Sequence, residues 1–81
     1  MSDLMAEVRD ARRLPSPRLA AAIRSNAGVS QARMARELGV HRVTVARWED
    51  GTRRPRGALL QAYLALLDEL SRATSSGGDA A

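Results

Sequence analysis

The sequence predicts an all-α domain of about five short helices, and three observations predict it. Aromatic residues are nearly absent (Trp48 and Tyr63), and no stretch alternates apolar and polar residues with the period of two that a strand needs. Apolar residues instead recur three and four positions apart, as one face of a helix requires. Serine, proline and glycine stand between those stretches, where helices start and stop.

Residues 3–13 place Leu4, Val8 and Ala11 on one helical stripe, with Ser2 as the expected cap. Pro15 and Pro17 close this unit, because proline lacks an amide donor and its ring clashes with the preceding turn. Residues 1–15 therefore read as an N-terminal helical extension and residues 16–72 as the main domain. Ser16-Pro17 opens the second helix as a cap followed by proline at the first helical position. Leu19, Ala22 and Ile23 are expected on its inner face, with Gly28 at its stop. Ser30 caps a third helix from Gln31 to Leu38, which Gly39 ends; a fourth runs from His41 to Glu49 and stops at Gly51. Thr52 to Arg56 form a basic loop, and Leu59 to Leu70 a leucine-rich last helix. Residues 73–81, without large apolar side chains, read as a flexible tail.

Composition excludes several functions. A chain of 81 residues buries too little surface for a large enclosed catalytic cavity. With no cysteine and a single histidine, His41, neither a disulfide framework nor a metal site nor thiol chemistry is expected, and no cofactor is implied. No catalytic constellation can be assembled, so the chain is not expected to be an enzyme. No apolar run approaches a membrane span and no signal peptide is recognisable, which predicts a soluble, cytoplasmic protein with no membrane partner. The charge pattern points the other way, toward a partner. All 13 basic residues are arginine, and residues 12–56 hold 11 of them against Glu37, Glu49 and Asp50, a local balance of +8. A basic centre between mildly acidic ends is a field that a polyanion would meet.

The informative stretch is Ser30 to Gly51. Its two helices are joined by Gly39-Val40-His41, a link too short for antiparallel packing; a brief turn with glycine sets helices at a steep angle instead. Ala35 falls where the backbones would come closest, and Gly39 where a positive φ is needed. Met34, Leu38, Val40, Val45 and Trp48 supply the inner faces. With Val45 and Trp48 inward, Arg42, Val43, Ala46 and Arg47 fall on the opposite side, a low-profile face that fits a major groove about 12 Å wide. Arg42 and Val43 are the expected base readers, with Arg47 one turn later on base or phosphate and His41 at the cap within reach of either. Plainer readings stand beside these: a stray surface valine, solvated arginines, and a histidine cap with no DNA role. The helix start at Ser30-Gln31 offers free amide groups for a phosphate, and Thr44, Arg53, Arg54 and Arg56 complete the expected phosphate set, unless the loop arginines only solubilise.

The spacing Gln31–Ala35–Gly39–Val45–Trp48, the entry Gly28-Val29-Ser30-Gln31 and the exit Trp48-Glu49-Asp50-Gly51 resemble the helix-turn-helix of the Cro/C1-type, lambda-repressor-like DNA-binding domains. The resemblance covers about residues 17–70 and implies a domain of that fold on double-stranded DNA. It implies that Gln31 bonds the DNA backbone and that Glu49 pairs with Arg24 as a structural ion pair rather than a DNA contact. His41 departs from the serine or threonine that the family more often has at that cap.

The last helix has one stripe for the core (Leu60, Leu64, Leu67) and a neighbouring one (Leu59, Tyr63, Leu66, Leu70) that predicts a homodimer; the alternative is that the Leu4/Val8 helix covers it. The reading is a sequence-specific transcriptional regulator of the small repressor type, associated with the nucleoid. A toxin-neutralising protein partner and an architectural or excision role remain as alternatives. The chain resembles small phage or bacterial regulators of the Cro/C1-type family.

Overall fold

The computed structural model describes the backbone of residues 2–80 and the side-chain surroundings of residues 3–74. Its elements are α1 (Ser2–Arg13), α2 (Pro17–Asn26), α3 (Gln31–Leu38), α4 (Arg42–Asp50) and α5 (Gly57–Ala80), with no strand among the described residues. Serine hydroxyls open two of them. Ser16 Oγ accepts from the Leu19 amide at 3.1 Å and Ser30 Oγ from the Arg33 amide at 3.0 Å, contacts worth about 1 kcal/mol each.

The bend between α3 and α4 is made as the glycine demands. Gly39 is left-handed at φ 72°, and its amide and that of Val40 return to the carbonyls of Arg36 and Ala35 at 3.2 and 2.9 Å. Ala35 is 2% exposed and lies in the core with Met34 of α3, Val45 and Trp48 of α4, Ala20 of α2, and Tyr63 and Leu67 of α5. The Trp48 and Tyr63 rings meet at 4.8 Å in a tilted pair, an arrangement that adds about 0.5–1.5 kcal/mol to the area they bury.

Four expectations are corrected. On α2, Leu19 is 52% exposed and Ala22 is exposed, whereas Ala20 is buried and Ile23 half-buried. The helix is turned by about one residue because Arg24 points inward to a partner and Ala20 lets α2 approach closely. On α5, Tyr63 is 1% exposed and so is not part of any association surface. Leu66 and Leu70 are half-buried against the core, and only Leu59 of the expected dimer stripe is exposed. The reason is that α5 packs against α1, α2 and α3 together, which occupies a wider arc than one neighbour would.

Nor does the Leu4/Val8 stripe cover α5. The first helix does lie against α5, with Ala6 and Asp10 facing Gln61, Leu64 and Ala65 across a shared cleft, leaving Leu4 63% and Val8 37% exposed. Finally, α5 runs on to Ala80 through the stretch read as a tail. Past Leu70 it has no apolar stripe to pack, and Thr74 Oγ1 donates back to the Leu70 carbonyl at 2.9 Å; elongating a formed helix needs no new nucleus.

The Tyr63 hydroxyl is buried without a hydrogen-bond partner. Burial, and secondarily the Glu49 charge, push it from 10.0 up to about 12. Because the folded value is the higher one, its contribution is complete below pH 10 and is lost between pH 10 and about 12. Denaturant unfolding should show stability falling across that window by at most about 1.4 kcal/mol per pH unit. Tyr63→Phe should abolish the fall and be neutral or stabilising at pH 7, since it deletes an unsatisfied polar group.

Candidate nucleic-acid interface

The outer side of α4 is built from its caps inward. His41 Nδ1 accepts from the Val43 amide at 3.1 Å, so the ring nitrogen that caps must carry a lone pair and the ring hydrogen sits on Nε2. Capping therefore leaves the second ring nitrogen as a donor on an exposed residue, so a capping role and a DNA contact are compatible. At the other end Gly51 is left-handed at φ 83°, with Pro17 Cγ 3.7 Å from where a Cβ would stand. Between them Val45 and Trp48 are buried, Arg42 and Arg47 are exposed, and Val43, Thr44 and Ala46 are half-buried.

Behind this face lies one ion pair. Arg24 Nε and Nη2 donate to Glu49 Oε2 and Oε1 at 2.6 and 2.9 Å, and Arg24 Nη1 donates to the Val29 carbonyl at 2.7 Å. The side chains are 15% and 5% exposed. Bonding to Glu49 outweighs desolvation and raises the Arg24 pKa above its ordinary value. One guanidinium thus joins α2, the turn before α3 and the end of α4. The carboxylate also explains its own position: a negative charge near a helix C-terminus opposes the dipole, and the forked arginine compensates it.

Gln31 extends this cluster toward the surface. Its Nε2 donates to Glu49 Oε1 at 3.0 Å, and its Oε1 lies 3.4 Å from Arg42 Nη1, at the long edge of a hydrogen bond. Arg42 therefore stands on the flank of α4 beside the start of α3 rather than directly opposite Val45. Ser30 uses its oxygen as the α3 cap and remains exposed. The contact between Gln31 and Arg42 has no sequence signal, because it depends on the angle at Gly39.

A second cluster lines a groove beside α4, where Thr44, Arg47, Arg53, Arg54 and Arg56 come together with Glu7 of α1. The loop is ordered by Asp50, whose Oδ1 accepts from the Thr52 amide and hydroxyl at 2.8 and 2.6 Å. Those two bonds hold the Asp50 carboxyl below its ordinary range. The Thr52 and Arg53 amides return to the Arg47 carbonyl at 3.1 and 3.2 Å, and Pro55 is buried. Sequence reasoning passed over Asp50 as a loop organiser, although an Asp before Gly-Thr is a turn signal. It also passed over Glu7, for which no signal existed. Among the described residues no cluster of His, Cys, Asp and Glu could hold a metal ion, and no helix is long and apolar enough to cross a membrane.

Two short helices crossing at a left-handed glycine, the second held inward by valine and tryptophan and bearing arginines outward, define a helix-turn-helix DNA-binding domain. A helix-turn-helix family model matches residues 19–73, and the chain belongs to that family, of the Cro/C1 type. It is a family of DNA-binding, non-enzymatic proteins. No curated protein and no solved structure matches the chain.

Glu49→Ala should cost about 2–3 kcal/mol in denaturant unfolding, because Arg24 is then left largely buried and unpaired. Arg24→Met combined with Glu49→Leu should cost clearly less than the two single changes added together. A double-mutant cycle with no coupling would contradict the clamp.

Proposed function

We propose that this chain is a sequence-specific regulator of transcription that lays α4 in the major groove of double-stranded DNA. Arg42, Val43 and Arg47 meet base edges, with the His41 Nε2–H donating at the helix start. Ser30, Gln31 and Thr44, with Arg53, Arg54 and Arg56 of the loop, hold the phosphates on either side. The observation that carries this reading is the sorting of side chains on α4: Val45 and Trp48 are buried while Arg42 and Arg47 are exposed, next to a groove that gathers three further arginines. Arginine can give two hydrogen bonds to guanine O6 and N7, and valine can touch a thymine methyl. The phosphate grip supplies affinity and the few α4 side chains supply choice of sequence. Two copies would occupy paired half-sites about 34 Å apart.

Selection of bound duplexes from a random pool tests the reading; recovery of no enriched sequence would remove the specificity. On the best site, Arg42→Ala should lose roughly 1–3 kcal/mol and relax preference at one base position. Arg54→Ala should weaken every duplex alike and reduce the salt slope by about 0.9 per lost phosphate contact. Fluorescence anisotropy across a salt series, with selected and scrambled duplexes, separates the two behaviours.

A further inference from the structure

Three of the five exposed large apolar side chains among the described residues stand on one helix: Leu4 at 63%, Met5 at 55% and Val8 at 37%. A single exposed leucine needs no explanation, but a stripe on one helix does. The opposite side of α1 is already used, with Ala6 and Asp10 toward α5, and Leu14 just past its end packs against the core. Leu4, Val8 and Ala11 are spaced by four and then three residues, which is the d, a, d order of a heptad seam.

The charges beside that seam say what covers it. In this register Glu7 falls at g and Arg12 at e. In a parallel helix pair, a g residue reaches the e residue five positions on in the partner helix. Glu7 of each copy then meets Arg12 of the other, twice by symmetry. An antiparallel pair would set Glu7 against Glu7 and Arg12 against Arg12. The stripe is therefore complementary to itself in one orientation only.

We infer that the outward side of α1 is a self-association surface, on which two copies pair their first helices in parallel, with Leu4 and Val8 at the seam and Glu7 of each against Arg12 of the other. This surface replaces the α5 stripe, whose Tyr63 is in the core. Glu7 and Ala11 also line the groove that holds Arg47 and the loop arginines. Pairing through α1 thus joins two copies beside their basic grooves. One face of a helix of about three turns offers well under the roughly 800 Å² per partner of a standard interface, so the association is weak, with a Kd on the order of 100 μM.

The inference concerns the free protein, so its test involves no DNA and its failure is distinct from failure of the DNA-binding reading. Sedimentation equilibrium of the full chain from about 10 μM to 1 mM at low salt should show a reversible monomer–dimer equilibrium. Leu4→Ser with Val8→Ser should weaken it by roughly tenfold or more, with far-ultraviolet circular dichroism and the melting midpoint unchanged. Glu7→Arg and Arg12→Glu should each weaken it roughly threefold to tenfold, and the two together should restore it, which a merely structural role for either residue would not do. The chain has no cysteine, so Leu4→Cys should give a disulfide-linked dimer on mild oxidation, as facing seam positions in a parallel pair require. A monomer at every concentration would overturn the inference, as would a dimer indifferent to the serine variant, or a charge swap without recovery.

Discussion

What α4 presents to solvent depends on how closely α3 approaches α4. Three residues join the two helices, and the chain can turn that sharply only with Gly39 left-handed, a conformation that costs other residues about 1–2 kcal/mol. Ala35, 2% exposed, is the small side chain that the crossing tolerates. Once the crossing is made, α4 has one rotation that buries Val45 and Trp48 together, and that rotation decides which of its residues meet solvent. The arginines are displayed because the apolar pair is not.

A second constraint refines the first, and it is polar. Arg24 and Glu49 leave water together and are joined by two short bonds; an apolar pair of similar volume is often as stable as such an ion pair, so the pair is better understood as fixing orientation than as adding stability. Its effect reaches the surface through Gln31. A carboxylate can only accept, so the amide nitrogen of Gln31 must face Glu49, and its oxygen is thereby turned toward Arg42. The direction of a buried carboxylate thus sets which end of an amide meets the guanidinium that α4 offers outward. Arginine has five N–H donors, and engaging one of them with Gln31 leaves the rest of the fork for a base edge.

The fold class was legible because period, a capping side chain and a stopping glycine agree at each of the middle helices. The residues that carry the turn, Ala35 and Gly39, were legible for the same reason: their positions follow from sterics that act within a few residues. What failed did so where neighbours decide. On α2 a count of apolar residues favours Leu19 and Ala22, but the helix turns Arg24 inward for a partner 25 positions away, and no local rule anticipates that. On α5 two leucine stripes are visible in the sequence, yet only the three surrounding helices determine that Tyr63 lies under them rather than outside. The site divides in the same way. Residue types and caps marked Ser30, His41, Arg42 and the loop arginines as candidates, whereas the link from Gln31 to Arg42 and the place of Glu7 in the basic groove follow from angles between helices.

The same packing also sorts charge. Within residues 12–56 each acid is engaged by another group: Glu49 is buried against Arg24, Asp50 is bound to Thr52, and Glu37 pairs with Arg33 at 3.3 Å. Among the described residues none of Arg42, Arg47, Arg53, Arg54 and Arg56 forms an ion pair within 4 Å. A net charge of +4 spread evenly would be a weak field, but four such arginines gathered in one groove, with Glu49 buried behind it, make a strong local one. Glu7 is the exception, a carboxylate at the rim of that groove. Its position is costly for a surface that attracts phosphate unless another cation engages it, and a second copy's Arg12 is the cation that the α1 heptad provides.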